Sequence, residues 1–278
     1  IGLPRTSLRL PSRRPHIASL STIRRGPPTP VSSSVNVRPV GGCRLFVALE
    51  LPDGAELLVK VLPGDLSFAV DPARFEHELL LLADRLGDPH LVAPRGGGRA
   101  GAFIYHTRHF VDGTTLRAWL ARHGEMPIHR AVEILRSVLT ALAHIHATQV
   151  AHGDLKPENV LLADGRVLTV DGGIVDAVCR AIASGPAGAA RAALCAPSYV
   201  RPERRGGGDG AAPGPADDLY AVGVLAQEML TGHPPAPESE TLDELRTIPP
   251  WFGELIRRWL AGEAPGGWGE APRGPILE

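Results

Sequence analysis

Lysine is nearly missing from this chain. Of 278 residues only two are lysine, Lys60 and Lys156, against twenty-seven arginines. Asparagine is as scarce, with Asn36 and Asn159 alone. Alanine, glycine, proline and arginine abound, a bias that looks like drift in a GC-rich genome. Where arginine suffices, arginine stands. The surviving lysines therefore mark places that need a compact ammonium and not a larger, planar guanidinium. Cysteine is also sparse. Cys43, Cys179 and Cys195 form neither a metal-spaced pair nor a disulfide framework, which suits a reducing cytoplasm. His144 and His146 sit two apart on a helix pattern and point to different sides, so they lack ligand spacing. No run of eighteen apolar residues exists, so no membrane span is expected. Acid is absent from residues 1 to 49, which carry eight arginines. The other 229 residues hold 21 basic and 30 acidic side chains, a net of −9. That acidic body argues against nucleic acid as the main partner.

What is present changes along the chain. Residues 1–35 are rich in Arg, Ser and Pro and read as a disordered basic tail. An acid-free Ser- and Arg-rich start resembles a transit peptide, but its six prolines oppose the amphipathic helix such a peptide needs. "RLFVALELPDGAELLVKVL" (44–62) predicts two strands joined at Pro52-Asp53-Gly54, with Lys60 inside the second. "DPARFEHELLLLADRLG" (71–87) predicts a helix capped by Asp71, with Phe75, Leu79, Leu82 and Leu86 as its apolar stripe. Residues 101–111 predict another strand. Helices are expected over 115–124, 128–147, 217–232 and 249–262. In the second of these, Val132, Leu135, Leu139 and Leu142 fall at helical spacing. A small β-rich part followed by a larger helical part implies two lobes of an α+β fold, joined near 108–113.

One stretch concentrates chemistry: "HGDLKPENVLLADGRVLTVDGG" (152–173). Residues 159–171 predict a hairpin turning at Asp164-Gly165, which brings Asn159 beside Asp171 at its open end. A carboxylate and an amide oxygen there suit a hard ion such as Mg²⁺, with phosphate oxygens completing the shell. Asp154 and Lys156 lie just upstream, close enough to face the same place.

With these residues the sequence resembles the eukaryotic-like (Hanks-type) Ser/Thr protein kinase family in its bacterial form, over about residues 36 to 265. "HGDLKPEN" resembles the catalytic loop, "DGG" (171–173) the Asp-Phe-Gly segment, and "LLVK" (57–60) the Val-Ala-Ile-Lys strand. "SYVRPE" (198–203) and "DDLYAVGVLAQEMLTGHPP" (217–235) match later landmarks, and "FVDGTTL" (110–116) the interlobe linker. The resemblance implies a bilobal fold, with an N-lobe over 36–111, a C-lobe over 112–269 and a short tail over 270–278. It implies ATP and Mg²⁺ as cofactors and a protein as substrate or regulated partner. Asp154 is then the base and Lys156 the γ-phosphate contact. Lys60 anchors the nucleotide, Asn159 and Asp171 hold the metal, and Asp218 steadies the catalytic loop. Leu45, Leu58, His109, Val111 and Leu161 line the nucleotide. Glu78 is expected to pair with Lys60, because it lies about 40° from Leu82 at the margin of the apolar stripe, where an acid needs a partner.

The pattern also departs from the family. The glycine positions of the phosphate-covering loop hold Arg38, Val40 and Cys43, with Gly41 and Gly42 shifted. Arg108 falls where an apolar gatekeeper is usual. Gly172 replaces a phenylalanine, leaving an interior column incomplete, and Gly153 replaces an arginine that receives an activation-loop phosphate. Residues 174–197 hold one hydroxyl, Ser184, so control by phosphorylation there is not expected. Ala196 replaces a threonine that bridges Asp154 and Lys156, and Gly267 an arginine that pairs with Glu203. An active Ser/Thr kinase is the first reading. A pseudokinase regulator with weakened nucleotide binding is the second, and a small-molecule phosphotransferase the third.

Overall fold

The structure, a computed structural model, describes residues 23–24, 30–40, 43–50, 54–182, 192–207, 212–234 and 248–263. Its first part is a six-stranded antiparallel sheet. The strands are β1 (Ile23–Arg24), β2 (Pro30–Val40), β3 (Cys43–Glu50), β4 (Ala55–Val61), β6 (Pro94–Ala100) and β7 (Phe103–His109). They lie in the order β1-β2-β3-β4-β7-β6. β2 pairs Val31 with Glu50, Val35 with Val47 and Val37 with Leu45. The strand-rich part thus begins inside the stretch expected to be a disordered tail. The valines at 31, 35, 37 and 40 account for this, since β-branched residues favour the pleated conformation and β3 offers them an edge.

Helix α1 (Gly64–Ala69) leads into α2 (Pro72–Arg85), which packs on β6. Asp71 caps α2 by accepting the Arg74 amide at 2.9 Å, worth about 1 kcal/mol. Phe75, Leu79, Leu82 and Leu86 are all buried, as the stripe predicts.

The second part is helical: α3 (Leu116–His123), α4 (Ile128–Ala147), α5 (Ile174–Ala181), α6 (Pro215–Thr231) and α7 (Pro250–Leu260). The apolar face of α4 is wider than expected. Leu135, Leu139 and Leu142 are buried together with Ile134, Val138 and Ile145, while Val132 is half-buried. α6 is apolar nearly all round and buried on all sides, as a central core helix must be. α7 seals it with Phe252, Ile256 and Trp259. Among the described residues no helix is long and apolar enough to cross a membrane.

A small sheet lies under the junction: β5 (Leu91–Val92), β10 (Arg166–Val170), β9 (Val160–Ala163) and β8 (Thr114–Thr115), in that order. β9 and β10 form the expected hairpin, turning through Asp164 and Gly165 at φ 47° and 74°. Thr169 pairs with Val160, so Asn159 and Asp171 flank its open end. The Pro52-Asp53 turn, Gly41, Gly42, Ser184 and Gly267 lie outside the described residues.

Candidate functional site

A cavity of about 430 Å³ opens between the antiparallel sheet and the helical part. Nine of the eleven residues expected to form the site line it: Leu45, Leu58, Lys60, Val111, Asp154, Lys156, Asn159, Leu161 and Asp171, joined by Cys43 and Arg108. Leu58 and Leu161 are both buried, one from each side of the junction. Glu78 and His109 do not line it.

Residues 151–156 have no regular structure, so side chains must hold them. Asp218, at the start of α6, does most of this. Its carboxylate accepts the backbone N–H of His152 at 2.8 Å and of Gly153 at 2.9 Å, and contacts His146 Nε2 at 2.7 Å. His152 is buried, with Nε2 against the Val170 carbonyl at 3.1 Å. Gly153 adopts φ +77°, the left-handed region, and a β-carbon there would meet Pro213 Cγ at 3.0 Å. The loop thereby delivers Asp154 to the cavity floor.

Asp154 and Lys156 contact each other directly. Lys156 Nζ lies 2.8 Å from Oδ1 and 2.7 Å from Oδ2 of Asp154, and 3.3 Å from the Leu194 carbonyl. Asp154 and Lys156 thus meet directly, with Ala196 where the family has threonine. Asn159 Nδ2 donates to the Asp154 carbonyl at 2.7 Å and to Asp154 Oδ2 at 3.0 Å. That donation leaves the amide oxygen of Asn159 as its remaining acceptor. Charge-assisted bonds of this length are about twice as strong as neutral ones, so the loop geometry is rigid.

Asp171 sits at φ +63°, an uncommon conformation for a non-glycine residue. Lys60 Nζ reaches its Oδ2 at 2.7 Å, and Arg108 Nε approaches Oδ1 at 3.5 Å. Burial alone would raise the pKa of Asp171, but Lys60 above all holds it far below the usual carboxylate range. Burial likewise works against charge on Lys60, but Asp171 and Asp154 together outweigh it, raising the ammonium's pKa. His106 and Arg108 complete this cluster. β4 and β7 pair Lys60 with His106 and Leu58 with Arg108, so all four side chains share the sheet face that looks into the cavity.

His106 is almost wholly buried, and burial pushes its pKa from 6.5 down to about 4. An unfolded histidine takes its proton near 6.5, the folded one only near 4. Between those values the unfolded chain binds more protons, so stability falls as pH drops, by about 3 kcal/mol in all. We expect His106→Leu to flatten part of this fall in melting temperature between pH 6.5 and 4. Parallel curves for the two proteins would refute it.

The expected Lys60–Glu78 pair is not formed. α5 packs against α2 and brings Arg180, whose guanidinium lies 4.0 Å from Glu78 and 2.8 Å from Asp176. Glu78 is drawn there, with its side chain 26% exposed, and Asp171 takes Lys60 instead. A surface pair of that length is worth about 0–1 kcal/mol. Glu78→Ala is accordingly expected to move the melting temperature by less than about 4 °C; a larger drop would mean a stronger partner. His109 also departs from expectation. Its ring lies 3.4 Å from Arg95, and its carbonyl accepts from Arg108 Nη1 at 3.2 Å.

Two further departures resolve. The place beside Gly172 is filled, because Ile145 Cδ1 would lie 3.0 Å from a β-carbon there. Ile145 of α4 and His152 are the side chains nearest that position. Glu203 pairs with Arg201, a neighbour in the chain.

Sequence reasoning missed Arg117, Glu158 and Glu228. Arg117 on α3 lines the cavity and bonds Glu158 at 2.8 Å and the fully buried Glu228, which also accepts from the Tyr199 hydroxyl. Burial opposes charge on Arg117, but the two carboxylates raise its pKa. An acid inside the otherwise apolar α6 was the available signal. His106 was legible too, by counting two residues along β7 from Arg108.

A model of the protein kinase domain matches residues 46–251. The serine/threonine-protein kinase PknL of Mycobacterium tuberculosis is 34% identical over 230 residues, covering 76% of this chain and 54% of that protein. PrkC of Bacillus subtilis, another serine/threonine-protein kinase, is 28% identical over 72% of this chain and 30% of its own length. The chain thus spans about half the length, or less, of these curated relatives. Among solved structures, the Mycobacterium tuberculosis PknI kinase domain superposes with a TM-score of 0.64 at 23% identity, over 87% of this chain and 93% of that one. Rad53 1-466 in complex with AMP-PNP superposes with a TM-score of 0.62 at 22% identity, over 88% and 65%. At that identity the likeness is one of fold.

Proposed function

The chain belongs to the protein kinase family, and from that premise we propose that it transfers the γ-phosphoryl group of ATP to serine or threonine hydroxyls of a protein. The observation that carries this is the hydrogen-bonded set Asp154–Lys156–Asn159 facing Lys60 and Asp171 across one cavity. Lysine two residues after the base fits the Ser/Thr class, and the named relatives are of that class.

The residues present fit both cofactors. Buried Arg108 Nε and Asp171 Oδ1 have no hydrogen-bond partner, so the cavity holds donor and acceptor capacity that a ligand can use. Among the described residues no cluster of three or more His, Cys, Asp or Glu side chains is placed to hold a metal. Mg²⁺ keeps waters and phosphate oxygens and takes one or two protein ligands. Asp171 and the Asn159 amide oxygen would be those two, and the ion's charge would neutralise the phosphates.

The chain's own groups then have separate tasks. Lys60 holds phosphate oxygens, and Leu58 and Leu161 enclose an apolar ring. Asp154 accepts the proton of the acceptor hydroxyl and fixes its direction. Lys156, 2.7 Å from Asp154, neutralises charge on the phosphoryl group as it moves. Catalysis here is positioning and charge, as phosphoryl transfer requires. Lys60 spends one of its three donors on Asp171 and keeps two for phosphate oxygens.

Incubation with Mg²⁺ and labelled ATP, with a generic Ser/Thr protein as acceptor, tests the first reading. Transfer to the acceptor or to the chain itself supports it, and no transfer over a broad range of conditions would sink it. ATP at one hundred times its Kd should also stabilise the fold by about 2.7 kcal/mol. Lys60→Met should lose most of that shift in melting temperature, and an undiminished shift would deny Lys60 its role.

A further inference from the structure

We propose that Arg108 is a nucleotide-phosphate ligand, forming with Lys60 a two-cation anion site at the back of the cavity. The inference rests on the ATP-binding reading above and assigns it a residue where an apolar side chain was expected.

Charge gives the first argument. Asp154 in the cavity is matched by Lys156. Glu158 and Glu228 pair with Arg117, and with neither Lys60 nor Arg108. Asp171 alone faces both Lys60 and Arg108. Glu78, which would have balanced the excess, is turned toward Arg180. One positive charge is therefore left over around Asp171 in a buried place, and a buried charge without a counter-ion is costly.

Hydrogen bonding gives the second. Arg108 is 7% exposed, and its Nε lacks a hydrogen-bond partner, as does His106 Nε2 beside it. Arg108 Nη1 is spent on the His109 carbonyl, which aims the guanidinium and leaves the Nε edge toward Asp171 and Lys60. Asp171 Oδ1 faces that edge at 3.5 Å without closing a hydrogen bond, so the donor is unspent. An arginine fork suits phosphate oxygens better than a single point charge does. An unspent buried guanidinium N–H beside an ammonium calls for an oxygen-rich anion.

The third argument is local compensation. Arg38, Val40 and Cys43 stand at the positions where glycines would let backbone amides approach phosphates. Cys43 lines the cavity as a buried thiol whose pKa burial raises, so it brings no charge of its own. Arg108 supplies from β7 a charged donor where that stretch of sequence offers fewer glycines than the family pattern.

Isothermal titration calorimetry of ADP and of adenosine, on wild type and on Arg108→Met and Arg108→Lys, decides the matter. Loss of one charged hydrogen-bonding contact should weaken ADP binding by about tenfold to a hundredfold in Arg108→Met. Adenosine should bind as to wild type, and Arg108→Lys should fall between. The loss should appear both with Mg²⁺ and with EDTA. Equal or tighter ADP binding by Arg108→Met overturns the proposal. So does an equal loss for adenosine, which would mean pocket shape, or a loss confined to Mg²⁺, which would make Arg108 a holder of Asp171. Should Arg108→Met fail to fold, Arg108→Lys against wild type carries the same comparison. If wild type binds neither ligand, the ATP-binding reading itself fails.

Discussion

Asp154→Asn should lower phosphoryl transfer by about 10²- to 10⁴-fold, the range typical of a positioned general base, with ADP affinity within about twofold of wild type. The reasons lie in the loop. Asp154 touches Lys156 and Asn159, and acts on Lys60 only at a distance through its charge. The amide keeps the shape and one acceptor oxygen, so Lys156 and Asn159 retain a partner. What disappears is the negative charge that accepts a proton. Because Asp218, and not Asp154, holds the loop backbone, the fold should survive. Initial rates of label incorporation, set beside calorimetric ADP affinity, separate the two roles. Transfer within about threefold of wild type would remove Asp154 from the base position.

Asp218→Ala should be the most destabilising single change among these residues. Asp218 is buried, and its two oxygens accept the amides of His152 and Gly153 and contact His146. Alanine leaves two buried N–H groups without acceptors, each costing about 1–3 kcal/mol, and opens space beside α6. A total near 4 kcal/mol lowers the melting temperature by about 10 °C. Transfer should fall as well, because Asp154 follows directly on the anchored amides. Scanning calorimetry reads the first effect and the label assay the second. A drop under about 3 °C with transfer intact would show that the loop is held by something else.

Local chemistry was readable because it depends on neighbours in the chain. The hairpin over 159–171 follows from its turn, and the Asp154–Lys156–Asn159 set from a short loop. The helices α2, α3, α4, α6 and α7 follow from apolar period and end signals. What failed depended on residues far apart. Helix geometry puts Glu78 at the edge of the apolar stripe of α2, but it cannot say whether β4 or α5 lies beyond that edge. α5 itself was not anticipated, because "IVDAVCRA" is short and follows two glycines. Gly172 looked like a hole because the δ-carbon of Ile145 fills it from 27 residues upstream. Arg108 looked like a misfit until the strand register set it beside Lys60 and Asp171.

Gly153 has a historical consequence. Many kinases of this family carry an arginine at this point, and a single codon change could write one here. The backbone would be strained by it. At φ +77° a non-glycine residue pays about 1–2 kcal/mol, and its β-carbon would press on Pro213 Cγ at 3.0 Å and Val175 Cβ at 3.3 Å. The same loop turn is tied at both amides to Asp218, so it cannot relax without releasing Asp154. An arginine written at 153 would therefore strain the turn that delivers Asp154, and phosphate-gated control at this point would call for compensating changes at Pro213 and Val175.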